Sequence, residues 1–114
     1  IGSAQSLHAM VHEELSLSPE QDQQIESLEQ TFAVRRKTLE GEIREANREL
    51  ASAIRNSETT GPEVAAAIHH LHDAMGALQT ETIEHVFAMR KVLTPEQRTR
   101  FDEKISQALT SEAE

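Results

Sequence analysis

Apolar residues recur along this chain at helical spacing, in four runs separated by proline-led punctuation. Leu7, Val11 and Leu15 step by one helical turn and form one row of a short first helix over about 4–15, with His8 and His12 on the adjacent row. In Ser16-Leu17-Ser18-Pro19-Glu20-Gln21 the pattern stops and restarts. Ser18 suits an N-cap, Pro19 the first helical position, and Gln21 completes a capping box. A second helix follows over about 19–56, with an apolar stripe of Ile25, Leu28, Phe32, Leu39, Ile43, Ala46, Leu50 and Ile54. Arg35 and Arg36 interrupt that stripe. At the helical rise this segment is on the order of 55 Å long, which a lone surface helix does not sustain without a neighbour alongside.

The one clear turn is Asn56-Ser57-Glu58-Thr59-Thr60-Gly61-Pro62, with Thr60 or Gly61 as N-cap and Pro62 opening the third helix. Val64, Ile68, Leu71, Met75, Leu78, Thr82, His85 and Met89 then form an unbroken coiled-coil-like seam that should face the second helix. Leu93-Thr94-Pro95-Glu96-Gln97 repeats the earlier punctuation, with Thr94 as N-cap and Gln97 closing the box. A short fourth helix is expected to bury Phe101, Ile105 and Leu109 and to fray over 111–114. The pattern predicts an all-α fold: a long antiparallel hairpin with a short helix folded back at each end, forming one domain over 1–114. A hairpin two helices wide leaves one side of the seam bare, which points to a homodimer.

Composition narrows the functional classes. Aromatics are 3%, Tyr and Trp are absent, and cysteine is absent, so zinc-thiolate and disulfide frameworks are excluded. A net charge of −9 leaves no basic stripe for nucleic acid. No apolar run reaches the roughly 20 residues of a membrane span. A start at Ile1-Gly2-Ser3, without Met, suggests that a targeting or anchoring segment has been removed.

Two pairs at i, i+4 carry candidate chemistry: His8 with His12, and His85 with Met89. If Ser57 and Pro62 flank the turn, the numbers of facing residues sum to about 119, to within one helical turn. His85 then faces the neighbourhood of Val34, and Met89 that of Gln30. Glu29 is the nearest carboxylate, with Glu26 the alternative one turn away. The first helix folds back near the same end, so His8, His12, Glu29, His85 and Met89 can converge. Three imidazoles, a bidentate carboxylate and a thioether suit six-coordinate Ni²⁺ or Co²⁺, whereas Zn²⁺ takes fewer ligands and competes without the thioether. Each residue also has a plainer role: the His pair solvated, Met89 as seam packing, Glu29 on a wet face. Only His85 resists that view, since a buried imidazole needs partners. His69, His70 and His72 lie near the turn, cannot aim at one point, and read as exposed. No nucleophile–base pattern or Gly-rich loop points to an enzyme.

These residues resemble the periplasmic sensor domain of the CnrX family, with its NccX relatives, over nearly the whole chain. The likeness rests on Leu7-His8-x-x-x-His12-Glu13, on Glu29 ahead of Phe32, and on His85-Val86-Phe87-x-Met89-Arg90. It implies a Ni²⁺ or Co²⁺ site of His8, His12, Glu29, His85 and Met89 in a dimeric hooked hairpin. It also implies an N-terminal anchor in the inner membrane. The next component would be a transmembrane anti-sigma factor that frees an extracytoplasmic-function sigma factor for efflux genes. The two Leu-Ser/Thr-Pro-Glu-Gln elements also resemble the LTxxQ motif of the Spy/CpxP periplasmic chaperone group, the alternative reading.

Overall fold

The computed structural model describes residues 4–112, with side chains from 6 to 111. Its elements are α1 (Ala4–Glu14), α2 (Pro19–Arg55), α3 (Pro62–Arg90) and α4 (Pro95–Glu112), and among the described residues there is no strand. No helix there is long and apolar enough to cross a membrane. The chain divides into two compact units, one of Ile1–Gln30 with His85–Glu114 and one of Thr31–Glu84.

In the Thr31–Glu84 unit, α2 and α3 pack as a hairpin. Phe32, Leu39, Ala46 and Ala53 are buried at heptad spacing on α2, and Val64, Ala67 and Ala74 are buried on α3. Glu49 bridges to His70 and Arg35 to Glu81, keeping to the register expected from the turn within about one helical turn. Gly61 proves to be the N-cap of α3, because its carbonyl accepts the first helical bond from Ala65 N–H at 2.9 Å. Arg36, where the apolar stripe breaks, lies 5.7 Å from the Phe32 ring as a cation over its face.

Three residues expected on apolar rows need correction: Ile54 of the second helix's stripe, Met75 of the seam and Leu109 of the fourth helix's row. Ile54 is 59% exposed and Met75 52% exposed, while Ala53 and Ala74, each one position earlier, are buried. A methyl group is the side chain that fits where two helix backbones run close, so the larger neighbour is turned out. Leu109 is also exposed, at 45%. It lies one turn past Ile105, which packs on the core. α4 continues through Ser111 and Glu112 rather than fraying there, and residues 113–114 lie outside the described ones.

The other unit joins α1, the start of α2, the end of α3 and α4. Its core is Val11, Leu15, Ile25, Val86, Met89, Leu93 and Phe101, all buried, with Leu7, Leu28 and Ile105 packed against it. Burying side chains of this size contributes roughly 1.5–3 kcal/mol each. The two punctuation elements close it. Ser18 and Gln21 form one capping box, with Ser18 N–H donating to Gln21 Oε1 (3.0 Å) and Gln21 N–H to Ser18 Oγ (3.2 Å). Thr94 and Gln97 form the other, at 2.9 and 3.3 Å. The two glutamine amides then pair reciprocally, at 2.7 and 3.1 Å. Gln21 Nε2 also reaches Val92 O (3.0 Å), and Gln97 Nε2 reaches Leu15 O (3.1 Å) and Ser16 O (3.3 Å). Thus each amide holds carbonyls of the other punctuation. Ser16, with φ 54°, sits in the left-handed region that turns the chain out of α1.

Charged contacts add to this closure. Arg90 donates through Nε and Nη2 to the two oxygens of Asp102, both at 2.8 Å. Those hydrogen bonds hold the Asp102 carboxyl below its usual range. Arg100 Nη1 reaches Glu14 O (3.1 Å), and Lys104 pairs with the Glu14 carboxylate (3.2 Å). The last turn of α1 is therefore fixed to α4.

Candidate metal centre

α1 carries His8 and His12 on one face, their ring centroids 4.4 Å apart. Val11 and Leu15, on the neighbouring face, are buried in the core and fix which way that face points. The face meets Glu29 of α2, whose side chain is 15% exposed. Each carboxylate oxygen takes one imidazole: His8 Nδ1 lies 2.8 Å from Oε2, and His12 Nε2 lies 2.9 Å from Oε1. Among the described residues, ligand atoms of His8, His12 and Glu29 gather within 4.8 Å of one another. Glu26, the other candidate carboxylate, is exposed.

His12 is the inner of the two histidines. Its side chain is 18% exposed, against 58% for His8. Its second nitrogen, Nδ1, lies 2.6 Å from Asp22 Oδ1. Burial pulls the His12 pKa down. Hydrogen bonds that the ring donates to Glu29 and Asp22, with their charges, outweigh it and leave the pKa above the usual 6.5. The geometry agrees: both ring nitrogens face carboxylate oxygens, which only accept, so the imidazolium satisfies both.

These donors fit a divalent first-row cation. Ligand atoms bound cis at about 2.1 Å from one ion stand about 3 Å apart, close to the 2.8 and 2.9 Å separations present here. Two imidazoles and a carboxylate are the donors such ions favour. His8 leaves the site open to solvent on one side.

His85 and Met89 lie one turn apart on α3, 7% and 0% exposed. His85 stands outside the group formed by His8, His12 and Glu29. Met89 sits in the apolar core with Val11, Leu15 and Ile25. Of the four candidate His and Glu ligands, His8, His12 and Glu29 come together among the described residues.

Asp22 is the residue the sequence did not single out. Its only signal is position: it lies in the first turn of α2, straight after the four-residue connection 15–18 that turns the chain back along α1. The histidines near the hairpin turn form no comparable group. His69 and His72 are exposed, and the His70 side chain, 43% exposed, is hydrogen-bonded to Glu49.

Residues 2–100 match a family described as heavy-metal resistance. Over 103 residues the chain is 40% identical to the nickel and cobalt resistance protein CnrR of Cupriavidus metallidurans, covering 90% of this chain and 70% of that protein.

Proposed function

We propose that this chain, which belongs to the heavy-metal resistance family, is a metal-ion sensor that binds Ni²⁺ or Co²⁺ at His8, His12 and Glu29. One observation carries the reading: two imidazoles on α1 each face one oxygen of a single, largely buried carboxylate on α2. His85 and Met89 of α3 are proposed to complete the set, with Zn²⁺ as a competing ion that makes less use of Met89. That relative's role in nickel and cobalt resistance supports that choice of metals.

The bound ion supplies a cross-link of charge-assisted bonds. What it links is set by the chain: α1 through His8 and His12, α2 through Glu29, and α3 through His85 and Met89. An ion shifts a conformational balance only by its differential affinity for the two arrangements. α1 is the element with room to respond, because its last turn is fixed to α4 while His8 remains more than half exposed. The role is non-catalytic. In the proposed setting the domain lies in the periplasm, tethered to the inner membrane by a preceding segment, and acts on a transmembrane anti-sigma factor. The resemblance to CnrX supports that setting, and loss of nickel-induced efflux-gene transcription in a His12→Ala strain tests it. Unchanged induction in that strain would count against it.

A homodimer is also proposed. In the Thr31–Glu84 unit, Ile43, Leu50, Ile54, Ile68 and Met75 fall on the side of the hairpin away from Glu49–His70, and Ile54 and Met75 are exposed. Met75→Glu is expected to sediment as a monomer at concentrations where the wild type is dimeric. A dimeric variant would contradict this.

The chaperone reading draws on the Leu-Ser/Thr-Pro-Glu-Gln elements. In this chain Gln21 and Gln97 are occupied in holding helix ends, which accounts for the motif without chaperoning.

Imidazoles coordinate only when deprotonated, so protons compete with the ion. Because Glu29 and Asp22 raise the His12 pKa, Ni²⁺ affinity should begin to fall while pH is still above about 6.5. Calorimetric titration from about pH 8 to 5.5 checks this. A constant affinity across that range would contradict imidazole coordination.

A further inference from the structure

We infer that Asp22 is a positioning residue for the metal centre, holding His12 by Nδ1 so that Nε2 is the nitrogen presented to the ion. The inference rests on the metal-binding reading above and adds a residue to it.

The geometry is specific. His12 Nε2 faces the carboxylate of Glu29 at 2.9 Å, on the side where the donors gather, while Nδ1 faces Asp22 at 2.6 Å. An ionised carboxylate only accepts, so once Nε2 is given to an ion the Asp22 contact holds the ring's remaining proton on Nδ1. An imidazole with its proton held at Nδ1 has its lone pair at Nε2. Asp22 thereby selects both the tautomer and the ring orientation. It also makes His12 a stronger donor, as a carboxylate behind a ligating histidine does. Among the described residues His8 has no such support: it offers Nδ1 to Glu29 and is the more exposed of the pair. The two ligands of one helix are therefore built differently, His12 held from behind and His8 left adjustable.

Asp22 has a plainer role to set against this one. It lies in the first turn of α2 beside Glu20, where any acidic side chain suits the helix N-terminus. Glu20 shares that position and is exposed, so it serves as the control.

The test is Ni²⁺ affinity by calorimetry for wild type, Asp22→Ala, Asp22→Asn, Glu20→Gln, His12→Ala and the double variant His12→Ala/Asp22→Ala. Asp22→Ala should weaken binding about 10- to 100-fold. Asp22→Asn, which keeps an accepting oxygen, should recover part of that loss, and Glu20→Gln should stay within about twofold of wild type. In the double variant, Asp22→Ala should add nothing to the loss from His12→Ala, since its effect passes through that ring. Additive losses, or an equal loss in Glu20→Gln, would overturn the inference in favour of a helix-end or bulk-charge effect. Retained affinity in His12→Ala would instead sink the metal-binding reading itself. A readout without metal separates the two: in a Glu29→Ala background, which relieves Nε2 of its own carboxylate, the ¹⁵N signals of neutral His12 should show the proton on Nδ1, and on Nε2 once Asp22→Ala is added. A proton on Nε2 in both proteins would overturn the role of Asp22 whatever the metal does.

Discussion

Met89→Ala is expected to do two separable things, and Met89→Leu to do only one of them. Met89 is fully buried among Val11, Leu15, Ile25, Val86, Leu93 and Phe101. Truncation to Ala leaves a cavity there and should cost about 2–5 kcal/mol of stability. It should also weaken Ni²⁺ and Co²⁺ binding while largely sparing Zn²⁺, which gains less from a sixth donor. Leu conserves the volume, so the fold should lose less than about 1.5 kcal/mol, yet the thioether is gone. Thermal unfolding of the metal-free proteins gives the first effect, and competition titration with the three metals gives the second. Met89→Leu with unchanged Ni²⁺ and Co²⁺ affinity would make Met89 a core residue and nothing more. Equal loss for all three metals would remove it as the selective ligand.

The second large effect is on the fold itself. Gln97→Ala removes the amide that accepts from Thr94 N–H and donates to Leu15 O, Ser16 O and Gln21. It also takes away the acceptor of Gln21 Nε2. Losing a capping partner costs about 1 kcal/mol, and leaving part-buried carbonyls unpaired adds about 1–3 kcal/mol. The expected total is about 2–4 kcal/mol, measured as a shift in the urea midpoint. Gln97→Glu is the informative companion. It can still accept from Thr94 N–H but cannot donate to Leu15 O, so it should keep the cap and lose the clamp. If Gln97→Ala unfolds at the wild-type midpoint, the pairing of the two punctuation elements is not what closes this unit.

That clamp shows which part of the fold the sequence makes legible. Helix limits were readable because proline and the capping boxes act locally, within four residues of each end. That the two boxes grip each other was not readable, because Gln21 and Gln97 meet across 76 positions and their repetition reads equally well as two independent caps. The seam of α3 was legible at its ends, where Val64, His85 and Met89 are buried, but not at its middle. Met75 continued the spacing of the larger apolar residues, yet the position that is buried there is Ala74.

The candidate site divides in the same way. His8 and His12 announce themselves by spacing, and the fold-back of the first helix brings them to Glu29. Asp22 was invisible because its role depends on the angle at which the 15–18 connection lays α2 against α1. His85 and Met89 were legible as a pair. Their burial is equally what a seam requires, so only binding measurements distinguish ligand from core.

The most direct test of the account is the absorption spectrum during titration of the metal-free protein with Ni²⁺ and with Co²⁺. The wild type should develop weak six-coordinate bands that saturate at about one ion per chain, well below millimolar free metal. Glu29→Ala should abolish them, and His85→Ala should lose or markedly alter them. Absence of any band below about millimolar metal in the wild type, or the same spectrum in Glu29→Ala, would contradict it.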